Sequence, residues 1–165
     1  MAHLIVIAAS SGNNLNLANR FSEQAKIMGH DVELLDLCGL ELPLYTPNTE
    51  KNLGKLEEIQ SIADCLSNSK GWIICSPEYN GSLPPVLNNL IAWLSVQDDD
   101  FRSCFNGRKV ALATHSGGGG AHVIMAMRMQ FSYLGCNVVG RSLTSNKNKT
   151  ANPETIKMLI EEIVN

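Results

Sequence analysis

The chain has 165 residues, 13 Lys and Arg against 16 Asp and Glu for a net charge of −3, and 44% hydrophobic but only 18% charged residues. That length sets a single domain, residues 1–165, with a core of its own, and the composition excludes disorder and a basic nucleic-acid footprint. The five cysteines (Cys38, Cys65, Cys75, Cys104, Cys136) are odd in number and form no CxxC pair. A disulfide framework and a zinc site are therefore not expected, and reduced thiols in a cytoplasmic protein are. No basic leader precedes the first apolar run, and no run approaches the ~18 residues of a membrane span.

In chain order, Leu4 to Ala9 is a continuous apolar run, as for a strand buried on both faces. After polar Ser10 to Asn14, the residues Leu17, Ala18, Phe21, Ala25 and Met28 recur at helical spacing, with Gly29 as the stop. Asp31 to Leu37 reads as a second strand and a Pro-punctuated loop from Cys38 to Asn52 follows. Leu56, Ile59, Ile62, Ala63 and Leu66 mark the next helix, and Trp72 to Cys75 the third strand. Pro84-Pro85 opens a helix carrying Val86, Leu87, Leu90, Ile91 and Leu94. Val110 to Ala113 is a fourth strand, closed by Thr114-His115-Ser116 and the glycines 117–120. Ile124, Met127, Phe131 and Leu134 form the fourth periodic helix segment, and Asn137 to Val139 a short last strand. Asn152-Pro153-Glu154 gives cap, first turn and acid before Ile156, Leu159, Ile160 and Ile163. Strands alternating with helices predict right-handed crossovers and a three-layer α/β domain with a parallel sheet.

Ligands of such a sheet collect outside the carboxyl ends of the strands. Three loops lie there: Ser10-Ser11-Gly12-Asn13-Asn14, Ser76 to Ser82, and Thr114 to Gly120. The first offers hydroxyls, amides and a helix N-terminus, the chemistry that holds a phosphate, or simply caps its helix. No GxxxxGK[ST], no GxGxxG after the first strand and no cysteine with an arginine six residues on is present, which leaves a loop-held mononucleotide. In the second, Tyr79 presents an aromatic face and Asn80-Gly81 a tight turn, and the third lets backbone approach a ligand closely.

Asp98 to Asp100 reads as a solvated acidic loop, His115 and His122 as no metal pair, Cys75 as an inert buried thiol, and Met125, Met127 and Met129 as packing residues. No residue is required as an acid or a base, and no metal is expected.

The segment Ser76-Pro77-Glu78-Tyr79-Asn80-Gly81-Ser82-Leu83-Pro84-Pro85, continuing through Leu87-Asn88-Asn89 to Trp93-Leu94-Ser95, resembles the signature of the NADPH-dependent FMN reductases. The resemblance extends to the first loop, Leu42-Pro43-Leu44-Tyr45 and the glycine loop with its helix. It implies a flavodoxin-like fold, strand order 2-1-3-4-5, and an FMN cofactor. It places the phosphate on Ser10, Ser11, Gly12, Asn13 and Asn14, the ring along Pro77, Glu78, Tyr79, Asn80 and Gly81, and its pyrimidine side near His115, Ser116, Gly117, Gly118 and Gly119. NADPH or NADH is the implied donor, and a flavin, quinone, azo compound or metal oxyanion the implied acceptor. With no room for a separate nicotinamide domain, donor and acceptor are expected to take turns at one flavin face. A homodimer or homotetramer is implied too, with neither membrane nor nucleic-acid partners. Many members carry an arginine in the first loop, but here that loop is uncharged, and Asn88 and Ala92 replace a usual lysine and acid on the helix after the signature. Three other readings remain at this point: a flavodoxin-type electron carrier, a small serine hydrolase built on Ser116, one residue from a GxSxG pattern, and a flavin-binding regulator or quinone-handling partner without turnover.

Overall fold

A computed structural model describes all 165 residues. The elements run β1 (His3–Ala8), α1 (Asn13–Ile27), β2 (Asp31–Asp36), α2 (Pro47–Leu53), α3 (Glu57–Asn68), β3 (Gly71–Cys75), α4 (Pro85–Gln97), a 3₁₀ turn (Phe101–Cys104), β4 (Lys109–His115), α5 (Ala121–Tyr133), β5 (Asn137–Ser145) and α6 (Pro153–Val164). All neighbouring strands pair in parallel, in the order β2-β1-β3-β4-β5. The expected flavodoxin-like architecture is therefore found, and the order reverses between β1 and β3, where loops diverge and leave a cleft.

The strands alternate which face each residue joins. Ile5, Ile7, Trp72, Ile74, Val110 and Leu112 face α3, α4 and α5, where Trp72 meets Phe105 edge to face at 5.6 Å. Leu4, Val6, Ala8, Ile73, Cys75, Ala111 and Ala113 face α1 and α6. Each fully buried Leu, Ile or Val contributes about 1.5–3 kcal/mol over its exposed state, so these two clusters are the main source of stability.

Two elements differ from the sequence reading. Residues 47–53, read as loop, form α2; the helix buries no residue, so it lacks the apolar period that reveals the others. Thr46 caps it through Thr49 N–H at 3.0 Å, with Pro47 at the first turn. The last strand runs nine residues instead of three. Its register against β4 breaks between Val110 and Leu112, and Arg128 takes up carbonyls of the irregular stretch, at 2.9 Å from Val139 O and 3.1 Å from Gly140 O. An edge strand with one wet face reads as polar, which hid its length.

The family-like signature has a local structural reason. Asn89 Oδ1 accepts from Tyr45 N–H at 2.8 Å, Asn89 Nδ2 donates to Pro43 O at 3.1 Å, and Trp93 Nε1 donates to the same carbonyl at 2.7 Å. With Tyr45 packed edge-on to Trp93 at 5.3 Å, α4 holds the irregular 42–45 segment in place.

Candidate active site

The three loops singled out from the sequence converge on one cleft of about 360 Å³ at the carboxyl ends of β1, β3 and β4. Ser10, Ser11, Asn13 and Asn14 line it from the first loop, Pro77, Glu78 and Tyr79 from the second, and His115, Ser116 and Gly117 from the third. Gly12, Asn80, Gly81, Gly118 and Gly119 shape these loops without lining the cleft. Lys147, on the turn after β5, completes the wall. No sequence pattern pointed to it.

The first loop leaves a run of donors free. Ala9 N–H still bonds Cys75 O, and the first helical bond is Asn16 N–H to Gly12 O. The N–H groups of Ser10 through Leu15 between them have no acceptor within the protein. Gly12 turns the chain into α1 at φ 77°, a conformation that favours glycine. Ser10 is 9% exposed, faces the cleft and has no hydrogen-bond partner in the protein. Six free donors, an unpartnered hydroxyl and a helix N-terminus give an anion cradle its chemistry.

Asn14 has a different use from the one expected of it. Its side chain is buried and bonds the backbone of His115 on both sides, Nδ2 to O at 2.9 Å and N–H to Oδ1 at 2.8 Å. The amide braces β4 against the first loop, and only its backbone N–H faces outward to a ligand.

In the second loop, Tyr79 and Ser82 exchange N–H···O bonds of 3.0 Å each way across Asn80 (φ 52°) and Gly81 (φ 74°). Asn-Gly with both φ positive is the preferred two-residue hairpin turn. The N–H groups of Glu78, Asn80 and Gly81 have no acceptor in the protein, and Tyr79 is half exposed. Glu78 turns its carboxylate away from the loop: Oε2 accepts from Val123 N–H at 3.1 Å, and Oε1 lies 3.7 Å from His122 Nδ1. It caps α5, so it meets a ligand through its backbone.

The third loop is closed by close packing. Gly120 sits at φ 68°, and a Cβ there would lie 2.5 Å from Thr114 Cγ2. Ser116 Oγ donates to Gly118 O at 3.0 Å and is bonded to no histidine, so it lacks the base that would activate it as a nucleophile. His115 Nδ1 instead meets Ser145 Oγ at 3.2 Å, and that hydroxyl gives its one proton to Thr114 O at 3.1 Å. His115 itself lines the cleft.

A five-stranded 2-1-3-4-5 sheet with an anion cradle, a fixed hairpin and a glycine loop around the switch point defines a flavodoxin-like flavin-binding domain. Residues 2–150 match the family described as NADPH-dependent FMN reductase, and the chain belongs to that oxidoreductase family. It is similar to the NADPH azoreductase of Bacillus sp. (strain OY1-2), 28% identical over 113 residues, covering 67% of this chain and 59% of that protein. The quinone reductase of Escherichia coli (strain K12) is 30% identical over 103 residues, 61% of this chain and 53% of its own. The chain thus spans little more than half the length of these two relatives. In fold it matches FerB, a flavoenzyme NAD(P)H:(acceptor) oxidoreductase from Paracoccus denitrificans, with a TM-score of 0.73, 18% identity, and coverage of 99% of this chain and 93% of that one.

Elsewhere, no helix is long and apolar enough to cross a membrane. His3, Glu33 and Cys65 place ligand-type atoms within 4.8 Å of one another, but His3 is bonded to Asp31 at 2.8 Å and Cys65 to Glu33 at 3.1 Å.

Proposed function

We propose that the protein is an NAD(P)H-dependent reductase that holds FMN in the β1/β3/β4 cleft and reduces small acceptors at the same open face. The observation that carries this reading is the run of six unpartnered N–H groups from Ser10 to Leu15 beside the unpartnered Ser10 hydroxyl, a cradle suited to a terminal phosphate. When bound, FMN supplies two-electron hydride acceptance and donation. The chain's own residues orient it. Backbone N–H groups of Glu78 and Gly117, on the cleft wall and without acceptors in the protein, offer donors to the polar edge of a ring. His115 lines the same cleft, and Tyr79, half exposed, gives an aromatic flank. Pro77 and the two-residue hairpin fix that flank against movement. No side chain in the cleft is placed to move a proton during the reaction.

Donor and acceptor take turns in this one open cleft, the donor leaving before the acceptor enters. Quinones, azo compounds, flavins and metal oxyanions are all small enough to use it. The second copy of a homodimer covers the face of α4 and α5, where Met125, Met129 and Tyr133 are largely exposed and Leu83, Ala126, Asn88 and Gln130 line an apolar hollow. Neither of the replaced signature positions, Asn88 or Ala92, brings a charge to this face; Asn88 accepts from Gln130 Nε2 at 3.1 Å.

The test is anaerobic addition of NADH or NADPH to the FMN-loaded protein. Bleaching of the visible flavin band by either supports a reductase. Bleaching by dithionite but by neither nicotinamide overturns it and makes the chain an electron carrier.

A further inference from the structure

We propose that Lys147 supplies the positive charge of the phosphate end of the cleft, and so makes the site select FMN over riboflavin. This rests on the FMN reading above and names the residue that completes it.

The first loop carries no charged side chain between Ala9 and Asn16. A phosphate monoester bears about −1.5 to −2 charge at pH 7, and N–H dipoles alone leave most of that charge unbalanced. Lys147 is the one lysine or arginine on the cleft wall, which also carries Ser10, Ser11 and Asn13. It belongs to no salt bridge and makes no hydrogen bond within the chain, so its ammonium is uncommitted.

The backbone that carries it is fixed. Asn146 and Lys149 close a tight turn with N–H···O bonds of 2.9 and 3.1 Å. Asn146 Oδ1 accepts from the N–H groups of Asn148 and Lys149, both at 2.9 Å, while Nδ2 donates to Gly118 O at 3.2 Å. The turn is thus tied to the glycine loop. On its far side Arg20 of α1 donates to Ala151 O at 2.9 Å, which ties the same segment to the helix whose N-terminus forms the cradle. Two elements that build the flavin site therefore position the lysine, although it lies 133 residues beyond Asn14 in the chain. The second observation, independent of the helix N-terminus, is Ser10, a residue nine-tenths buried that lines this cleft and whose hydroxyl has no partner in the chain.

The reach of a lysine suits this role. Its point charge on a flexible stem follows a phosphate without needing the planar fit of a guanidinium, and the cradle's N–H groups already fix direction.

Binding of FMN and of riboflavin to wild type, Lys147→Gln and Lys147→Arg, read from quenching of flavin fluorescence at low and high salt, tests the assignment. Lys147→Gln is expected to weaken FMN about tenfold, less at high salt, with riboflavin unchanged and Lys147→Arg near wild type. FMN binding unchanged in Lys147→Gln, or FMN and riboflavin weakened equally, overturns the role of Lys147 while the flavin site stands. A wild-type protein that binds neither flavin overturns the flavin reading itself, and the lysine's role with it. Unchanged thermal unfolding of the two variants excludes a folding defect as the cause.

Discussion

Asn14 and His115, 101 positions apart in the chain, are joined as if they were strand partners: the Asn14 amide donates to the His115 carbonyl at 2.9 Å and accepts its N–H at 2.8 Å. A side chain here stands in for a strand, and it fastens the first loop to the end of β4 where no backbone pairing reaches.

Asn14→Ala leaves a part-buried N–H and carbonyl of His115 without partners, which costs about 1–3 kcal/mol. Asn14→Asp keeps an acceptor for the N–H but sets a carboxylate against the carbonyl, and its charge faces an anion cradle. We expect denaturant midpoints to fall for both variants, and FMN affinity to fall more for Asp than for Ala. Unchanged midpoints in Asn14→Ala would show that the brace carries no stability.

This brace also marks what a sequence can and cannot reveal. Strands β1, β3 and β4 were legible because burial on both faces demands unbroken apolar runs: Leu4 to Ala9, Trp72 to Cys75 and Val110 to Ala113 each fall on their strand within a residue or two. The loops that line the cleft followed from strand ends alone. Asn14 was legible as a polar loop residue, but its partner was not, since nothing local connects it to His115. The resemblance placed Glu78 in the second loop of the site, but nothing local showed that its carboxylate bonds α5. Helix α2 hid because it has no buried face, although Thr46-Pro47 carried a cap and first-turn signal. Lys147 had no signal at all; a lysine among asparagines in a loop gains its meaning only from the neighbours the fold provides.

Glu78 sits at the N-terminus of α5, where Gly120 offers no side-chain cap and Oε2 accepts from Val123 N–H. Its charge complements the helix dipole as well as filling one donor. Glu78→Ala is expected to lose about 0.5–2 kcal/mol of stability. Glu78→Gln, which keeps the acceptor and loses the charge, is expected to lose less. Because the same residue leads into the Tyr79–Ser82 hairpin, amide exchange in the first turn of α5 and in residues 79–82 should quicken together in Glu78→Ala. Exchange that quickens in α5 alone would show the cap and the hairpin to be independent.

The thiols provide the pH dependence. Burial pushes the Cys104 thiol up to about 12 against the lowering pull of Arg108, and raises Cys136 to about 12 by burial first and the neighbouring Cys104 second. Cys65 rises to about 12 through burial and then its bond to the Glu33 carboxylate, and complete burial raises Cys75 as well. The folded state therefore keeps protons that the unfolded chain, with thiols near 9.0, gives up. A raised folded value contributes stability that is fully present below the unfolded value and is lost as pH rises toward the folded one. Unfolding free energy should thus fall between about pH 9 and 12, and Cys75→Ala and Cys136→Ala should each flatten that slope. At about pH 8 in the folded protein, the exposed Cys38 should alkylate with iodoacetamide well before the four others. Peptide mass mapping of a time course reads the order directly. Alkylation of Cys75 at the rate of Cys38 would mean that the end of β3, one residue from Ser76 and the hairpin loop, opens often enough to expose the floor of the cleft, and a rigid flavin flank would not survive that result.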